Sequence, residues 1–252
     1  DKDKQIGVLL TNLGTPDSPT SKDLKKYLNE FLMDERVVDL PRIFWVPLLK
    51  LIILNVRPKK SAKLYKKIWT EDGSPLMSIS KKILNKTQNL MQDNHPDIHL
   101  DLGMRYGNPS ILNALKRFKD KAISKILIIP LYPQAGSPTT ASTIDAVNNY
   151  LCNQNWIPNL RFVSGYYDNG DYINAISNSI ESSFKKNGKP DKLLFSYHGM
   201  PKRYLEEGDP YYCFCHKTTR LIAENLNLPA SDFEMAFQSR FGYETWLQPY
   251  ID

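Results

Sequence analysis

Short apolar segments typical of β-strands alternate with amphipathic segments typical of helices along the chain. The segments that predict strands are Ile6–Asn12, Leu100–Tyr106, Ile126–Leu131, Leu160–Tyr167, Leu193–His198 and Phe233–Gln238. The segments that predict helices start at Ser21 and Pro109, or cover Thr139–Tyr150, Ile173–Phe184 and Tyr211–Asn225. Repeated β-α-β units with short connections form a parallel sheet that carries helices on both faces. The pattern therefore predicts a doubly wound α/β fold.

The chain is long enough for more than one such sheet. Its 252 residues can form one large domain or two of ordinary size. The alternation is interrupted at Asn153–Pro158, which begins with three amide side chains and ends in proline. If the chain forms two domains, this break is the expected boundary, between residues 1–153 and residues 154–252.

Composition and charge restrict the partners and the compartment. With 41% hydrophobic and 24% charged residues the chain is typical of a globular protein, and its net charge of +6 suits acidic partners. The lysines are scattered along helices without a basic tail, which argues against nucleic acid and leaves an anionic membrane surface or a carboxylate substrate. Three cysteines indicate a reducing compartment, so a cytoplasmic location is expected.

Nothing in the sequence predicts a targeting segment or a membrane span. The polar start Asp1–Lys4 leads directly into a strand, so no signal peptide is expected. The most apolar stretch, Ile43–Val56, is interrupted by Pro47 and Lys50 and is shorter than the roughly 20 residues of a spanning helix. The expectation is a protein that is free in the cytoplasm or lies on the inner face of its membrane.

The segment around His198 says most about chemistry. It reads Leu-Leu-Phe-Ser-Tyr-His-Gly-Met-Pro over Leu193–Pro201, and its apolar beginning predicts a buried parallel strand. Gly199 and Pro201 end the strand. An imidazole is thus predicted at the carboxyl end of a core strand, where open α/β sheets place their ligand crevices.

This run, followed by Glu-Glu-Gly-Asp-Pro-Tyr at Glu206–Tyr211, closely resembles the signature segment of ferrochelatases. These enzymes are lyases that insert ferrous iron into a porphyrin to make haem. The resemblance implies two Rossmann-like domains and makes His198 the catalytic residue. A histidine can ligate a metal or accept a proton near neutral pH, and both roles stay open for His198.

Further family segments imply a porphyrin pocket. They include Gly-Thr-Pro after the first strand, Gly-Ser-Pro at Gly73–Pro75, and Gly-Met-Arg-Tyr-Gly at Gly103–Gly107. The substrate-binding residues implied in this way are Leu13, Arg57, Tyr65, Ser74, Arg105, Tyr106, Tyr132 and Trp246. A surface salt bridge remains an alternative for Arg105, and a place in the core remains one for Trp246.

The first loop also bears on the choice of substrate. Thr11–Pro16 contains a single glycine, so a dinucleotide site is poorly supported. The branch of the family that uses coproporphyrin typically has tyrosine where this chain has Leu13. That difference favours protoporphyrin IX as the porphyrin.

Large apolar side chains crowd the segment between Phe31 and Pro58. Such a segment forms either a buried helix or an exposed apolar patch at a ligand entrance or a membrane. The resemblance implies a hydrophobic lip over the pocket entrance, centred on Phe44–Leu54. Arg57 and Lys59 follow it and suit porphyrin propionates or anionic head groups.

Cys213-Phe-Cys-His216 raises the question of a metal cofactor. Structural zinc and 2Fe–2S sites need four ligands, and the third cysteine, Cys152, is far away in the sequence. No cofactor is therefore expected and Fe²⁺ enters as a substrate, with a 2Fe–2S cluster as the alternative. The family's second centre residue, a glutamate, belongs to a segment beyond Asp252, so the resemblance implies that the second domain is incomplete and that about the last fifth is missing.

The resemblance predicts a ferrochelatase that converts protoporphyrin IX to protohaem. A chelatase that acts on coproporphyrin or sirohydrochlorin is the first alternative. A tetrapyrrole-binding protein without catalytic activity is the second.

Overall fold

The computed structural model describes residues 5–251. The expectation of no signal peptide rests on Asp1–Lys4 and so lies outside the described residues, as does Asp252. The strands are β1 (Ile6–Thr15), β2 (Ile98–Gly107), β3 (Lys125–Pro130), β4 (Asn159–Phe162), β5 (Leu193–His198) and β6 (Phe233–Gln238). The helices are α1 (Ser21–Leu32), α2 (Arg42–Leu48), α3 (Leu54–Ile68), α4 (Pro75–Gln92), α5 (Ile111–Asp120), α6 (Ser142–Leu151), α7 (Gly170–Asn187), α8 (Lys202–Glu206) and α9 (Tyr211–Asn225). Two π-helical turns, Leu49–Ile53 and Ser137–Ala141, lead into α3 and α6.

The first sheet has the order β2-β1-β3-β4, and all its strands are parallel. On one face, Leu9 and Ile128 pack with Phe118 of α5 and Val147 of α6. On the other face, Val8 and Leu10 of β1 and Leu102 of β2 pack with Leu84 of α4. Helices thus cover both faces, and the predicted α/β fold with parallel sheets is confirmed.

The strand order reverses between β1 and β3. Chain connections leave these two neighbouring strands in opposite directions, so a crevice opens at their carboxyl ends. Strand β1 extends to Thr15, so most of the predicted loop Thr11–Pro16 is strand, and the carboxyl end of β2 lies beside it, since Gly14 pairs with Tyr106.

The second sheet consists, in the described part of the chain, of β5 and β6, which are parallel from Leu193↔Phe233 to His198↔Gln238. The prediction that β5 is buried on both faces is wrong. Leu194, Ser196 and His198 are exposed, whereas the alternate side chains are partly buried. The reason is that α9 packs against one face of this sheet, and the described residues place no second layer on the other.

The chain forms two compact units. The first comprises residues 1–131 and 138–164, and the second comprises residues 132–137 and 165–252. The predicted division at residue 153 differs from these units in two places. Residues 132–137 belong to the second unit, and residues 154–164, which contain β4, belong to the first.

Two helices begin at other residues than predicted because a neighbouring side chain provides the cap, and one strand is shorter than predicted. Thr20, not Ser21, caps α1, since its hydroxyl accepts from the Asp23 N–H. Helix α5 begins two residues after Pro109, at Ile111, because Ser110 caps it. Strand β4 is much shorter than the predicted Leu160–Tyr167.

The segment Arg42–Ile68 is helical throughout, with Pro47 and Pro58 inside α2 and α3. Within residues 5–251, no helix combines the length and the apolarity that crossing a membrane requires.

Candidate active site

His198 is the last residue of β5. The next residue, Gly199, lies in close contact with the end of β6 and with Trp246. The Gly199 N–H donates to the Gln238 carbonyl at 2.7 Å, which continues the pairing with β6. A Cβ atom at Gly199 would lie 3.0 Å from that carbonyl oxygen and 3.1 Å from Cε3 of Trp246. A side chain larger than that of glycine would therefore push the histidine-bearing turn away from β6.

The hydrogen bonds of the His198 ring determine its tautomer. Nδ1 lies 2.7 Å from the Gly199 carbonyl oxygen, and because a carbonyl can only accept, Nδ1 must donate its N–H. The neutral ring then carries its lone pair on Nε2. The side chain is exposed, and no residue from 5 to 251 forms a hydrogen bond with Nε2. This nitrogen is available to a proton or a metal ion.

The start of α9 supports the same end of the sheet. Asp209 accepts hydrogen bonds from the backbone N–H groups of Tyr211 at 2.9 Å and Ser137 at 2.6 Å. The Tyr211 hydroxyl donates to the His198 carbonyl oxygen at 3.1 Å. Burial raises the pKa of Tyr211, so this hydroxyl stays protonated and keeps donating.

Trp246 lies in the core of the second unit. It is 5% exposed, and its indole packs edge-on to Phe241 with ring centroids 4.9 Å apart. Its indole nitrogen is buried without a hydrogen-bond partner among the described residues. The core position that the sequence left as an alternative is therefore observed, and contact with a porphyrin stays a prediction.

In the first unit, four polar side chains form a closed cluster at the carboxyl end of β2. Arg105 forms an ion pair with Asp34, and its Nε donates to the Ser142 hydroxyl at 2.6 Å. The hydroxyls of Tyr106 and Ser142 donate to the same Asp34 carboxylate oxygen, at 2.7 and 2.5 Å. The Arg105 guanidinium also lies 4.5 Å from the centre of the Tyr106 ring. We call these residues the Asp34 cluster.

Electrostatics stabilise the charged form of Asp34. Its burial alone would raise the pKa of the carboxyl, but hydrogen bonds from Ser142 and Tyr106 and the charge of Arg105 outweigh burial and lower it. Burial raises the pKa of Tyr106, which therefore stays protonated. The cluster thus contains one anion and one cation, each with partners. Arg105 is in a mostly buried ion pair rather than the surface salt bridge considered as an alternative.

The other predicted binding residues of the first unit lie around this cluster and along α3. Leu13 is partly buried and packs in the apolar cluster that contains Tyr27 and Tyr106. Arg57 is exposed on α3, and Tyr65, two turns later, is half-buried. Burial raises the pKa of Tyr65, opposed by a hydrogen bond with Tyr27 and by the charge of Arg57.

The last two predicted binding residues, Ser74 and Tyr132, belong neither to this cluster nor to α3. Ser74 is 3% exposed and caps α4, since its hydroxyl accepts from the Met77 N–H at 3.2 Å. Tyr132 is partly buried and belongs to the second unit, as do His198 and Trp246. The structure therefore brings Leu13, Arg105 and Tyr106 together in one unit.

The lip segment is amphipathic. One side is buried, as expected for a core helix, and the other side is an exposed apolar patch. Trp45, Leu49 and Leu54 are buried against α1 and its neighbours, and the Trp45 indole donates to the Leu32 carbonyl at 2.7 Å. The opposite side is exposed. Its most exposed apolar side chains are those of Ile43 at 76%, Phe44 at 74% and Leu51 at 73%.

The two cysteines of α9 do not face the same way. Residues two apart on a helix point about 200° from each other. Cys213 is exposed and Cys215 is fully buried, and burial raises the pKa of the Cys215 thiol to about 12. Residues 5–251 contain no group of three or more histidine, cysteine, aspartate or glutamate side chains arranged to hold a metal ion.

Asp34 and Ser142 belong to the cluster but are not among the site residues predicted from the sequence. Asp34 lies two residues after the end of α1, and Ser142 is the first residue of α6. Asp34 is followed directly by Glu35 and Arg36, so nothing in its own segment distinguishes it as a member of a buried ion pair. No local signal identifies Ser142, because its partners lie on other elements.

Comparison with known proteins agrees with the motifs. The chain matches the family model for ferrochelatases over residues 5–252. It is 51% identical over 248 residues to Ferrochelatase 2 of Shewanella oneidensis, an alignment that covers 98% of this chain and 76% of that protein. It is 48% identical over 249 residues to the ferrochelatase of Pseudoalteromonas atlantica, with coverage of 98% and 69%. Identity to the ferrochelatase of Shewanella denitrificans is 48% over 262 residues, with coverage of 100% and 78%.

The match extends over nearly the whole chain and includes the His198 segment, both parallel sheets and the Asp34 cluster. The family predicted from the motifs is therefore confirmed, together with the enzyme class. The chain belongs to the ferrochelatase family, the lyases that insert ferrous iron into a porphyrin.

Proposed function

We propose that this protein inserts Fe²⁺ into protoporphyrin IX and that His198 acts at the reacting centre. In the reaction, the two pyrrole N–H protons of the porphyrin leave as the metal enters, so one Fe²⁺ replaces two protons. A group at the centre has to hold the metal or accept a proton. Family membership identifies a porphyrin and Fe²⁺ as the substrates. The assignment of His198 to the reacting centre rests on the geometry of β5.

The observation that carries this proposal is the open Nε2 of His198. Histidines that ligate metals usually donate their other ring N–H to a carbonyl or carboxylate, which orients the ring and fixes its tautomer. His198 has this arrangement, with Nδ1 donating to Gly199 at 2.7 Å. The lone pair on Nε2 can then bind Fe²⁺ or take a pyrrole proton.

A planar porphyrin hides its inner nitrogens from an incoming metal. Bending the ring exposes those lone pairs, and binding energy from the periphery of the porphyrin can drive that distortion. Arg57 and Lys59, both exposed on α3, suit the propionates, and the apolar face of the lip suits the ring.

The test is steady-state insertion of Fe²⁺ by His198→Ala and by His216→Ala. His216 is an exposed histidine of the same unit and serves as the matched control. We expect kcat to fall about 10²–10⁴-fold in His198→Ala, the usual range for loss of an acid–base group, with porphyrin affinity largely kept. His216→Ala should be unaffected. If His198→Ala retains more than about a tenth of the kcat, the assignment is overturned.

Leu13 supports protoporphyrin IX over coproporphyrin. It lies in an apolar cluster at the crevice of the first sheet and offers no polar group to an additional propionate. We expect kcat/KM to favour protoporphyrin and Leu13→Tyr to move the preference toward coproporphyrin. Equal or reversed preference in the unsubstituted protein would overturn the choice of porphyrin while leaving iron insertion intact.

The same assays distinguish the other readings of the chain. Insertion of Co²⁺ or Ni²⁺ into sirohydrochlorin, without activity on protoporphyrin, would identify a chelatase of another tetrapyrrole. Porphyrin binding without insertion of any metal would identify a carrier.

The lip supports a peripheral contact with an anionic membrane, with the rest of the protein in the cytoplasm. Ile43, Phe44 and Leu51 are each more than 70% exposed, and Lys50 and Arg57 on the same segment are exposed cations. Apolar side chains beside cations are typical of a helix that lies in the membrane interface. Each basic residue near an anionic surface adds about 1 kcal/mol.

Liposome flotation tests the membrane contact. Phe44→Ser/Leu51→Ser should reduce binding to vesicles that contain phosphatidylglycerol about tenfold or more, since each inserted side chain contributes roughly 1 kcal/mol or more. Ile79→Ser/Leu90→Ser is the matched control, because these α4 side chains are 56% and 77% exposed and lie outside the lip. Equal binding by both double variants would contradict the proposal.

We also propose that the protein needs no resident cofactor. The divergent directions of Cys213 and Cys215 on α9 support this, since a cluster would require both thiolates on one side. Cys213→Ser should leave the activity and the visible absorption of the purified protein unchanged. Loss of an iron–sulfur absorption band in that variant would contradict the proposal.

A further inference from the structure

A cleft of about 290 Å³ lies at the amino end of β2, far from the residues of the candidate active site in the same unit. It lies between the end of α4, the loop that leads into β2 and the residue that follows α5. We call it the β2 cleft. His99 and Arg105 are six residues apart on β2, a distance of about 20 Å along a strand. The cleft is therefore separate from the Asp34 cluster.

The polar side chains that line the β2 cleft are hydrogen-bond donors, and no carboxylate lines it. They are Gln88, Gln92, His95, His99 and Lys121. An ammonium has only donors, while imidazoles and amides can each present at least one N–H. Such a lining is complementary to an anion. The net charge of +6 on the whole chain adds to that preference.

His99 provides an independent indication of a missing partner. Its Nε2 is buried, and no group among residues 5–251 forms a hydrogen bond with it. Buried polar atoms of side chains nearly always have a partner in the protein, in water or in a ligand. Because this nitrogen has almost no accessible surface, a ligand oxygen in the cleft would satisfy it only after the His99 ring turned toward the cleft.

The rest of the cleft is apolar, which restricts the kind of anion. Met91, Pro96 and Ile98 contribute apolar surface beside the donors. Because β2 is the edge strand of its sheet, the cleft also borders an open sheet edge, where Gln88 donates to the Leu100 carbonyl at 3.3 Å. A ligand that fits has a charged end for the donors and a short apolar body for these side chains.

We propose that the β2 cleft binds a small amphipathic organic carboxylate. At the liquid volume of about 30 Å³ per water, the cleft holds a body of roughly ten non-hydrogen atoms. The carboxylate accepts from the Lys121 ammonium and the imidazoles, and the body lies on Met91 and Ile98. Inorganic phosphate satisfies the donors but leaves the apolar surface uncovered.

The experiment is a titration of the full chain with benzoate, followed by NMR of ¹⁵N-labelled imidazoles and by calorimetry. Benzyl alcohol has the same apolar body without the charge, and inorganic phosphate has the charge without the body. We expect benzoate to bind with a millimolar or lower Kd and to move the His99 signals. Each control compound should bind at least about tenfold more weakly, as expected for the loss of a charge-assisted hydrogen bond or of the buried ring.

Substitutions locate the binding. Lys121→Gln removes the cation, and Lys116→Gln removes an exposed cation of α5 that does not line the cleft. The first should weaken benzoate at least about tenfold and the second should have no effect. His99→Gln, which removes one imidazole from the lining of the cleft, should also weaken the binding of benzoate. No binding up to about 20 mM, which corresponds to a negligible affinity, would overturn the proposal. Equal affinity for phosphate, or no effect of Lys121→Gln, would overturn it too.

Discussion

Polar side chains lie at the carboxyl ends of parallel strands in both units, but their hydrogen bonding and exposure differ. In the first unit the members of the Asp34 cluster satisfy one another, and the Asp34 side chain is 6% exposed. In the second unit His198 is exposed, and within residues 5–251 its ring forms one hydrogen bond, to the Gly199 carbonyl. A closed cluster holds elements together, whereas an open imidazole is available for chemistry. Removal of a member should therefore cost stability in the first case and activity in the second.

Breaking the ion pair of the Asp34 cluster should have the largest effect on stability. Arg105→Leu leaves the Asp34 carboxylate mostly buried without its cation, which should lower the free energy of unfolding by about 3–5 kcal/mol. His198→Ala should change it by less than about 0.5 kcal/mol, because an exposed side chain contributes little. Urea denaturation measures both.

A surface ion pair provides the control for this prediction. Arg36 pairs with Asp145 at 2.8 Å, with both side chains about 40% exposed. Arg36→Leu should cost less than about 1 kcal/mol, since exposed pairs contribute little. If Arg105→Leu were no more damaging than Arg36→Leu, the closed cluster would not have the structural role assigned to it.

A methyl group at Gly199 should disturb the turn that carries His198. Its Cβ would lie 3.0 Å from a backbone carbonyl oxygen, which cannot rotate away, so Gly199→Ala should cost about 1–3 kcal/mol. Gly170→Ala is the control, because no atom lies within 4 Å of the corresponding Cβ at the start of α7. That variant should be neutral or slightly more stable in thermal unfolding. Equal melting temperatures for the two variants would show that the turn can relax freely.

The smallest predicted effect depends on pH. The Asp34 carboxyl has a lower pKa in the folded protein than in the unfolded chain, so its contribution to stability is present above the unfolded value, near pH 4, and is lost as the pH falls through the folded value. Ser142→Ala removes one of the hydrogen bonds that lower this pKa and should cost about 1–2 kcal/mol at pH 7. The cost should shrink below pH 4. A cost that is independent of pH from 7 to 2.5 would contradict the charge assignment.

Local sequence signals were sufficient where one element determines its own structure. The predicted bounds of α9 and β6 agree with the observed Tyr211–Asn225 and Phe233–Gln238. In α9, proline and aspartate precede the helix and its apolar residues recur at helical spacing. The position of His198 at a strand end follows from Gly199 and Pro201 in the same way.

Local sequence signals did not predict the burial or the partners of a side chain where these depend on elements distant in the sequence. An apolar run such as that of β5 looks buried on both faces, but its exposure depends on which helices cover the sheet. Trp45 and Phe44 are neighbours in one apolar segment, yet only Trp45 is buried, because it alone faces α1. Ser142 joins the Asp34 cluster through residues 36 or more positions away.

His198 keeps an open Nε2 because Nδ1 donates to the Gly199 carbonyl, and this arrangement can be observed directly. NMR of ¹⁵N-labelled imidazoles at a pH where His198 is neutral measures which nitrogen carries the proton, and His198→Gln assigns the signal. We expect a protonated Nδ1 and an unprotonated Nε2, and a shift of the Nε2 signal when a diamagnetic divalent metal such as Zn²⁺ is added. A protonated Nε2 in the neutral ring, with no response to metal, would show that His198 does not offer an open nitrogen.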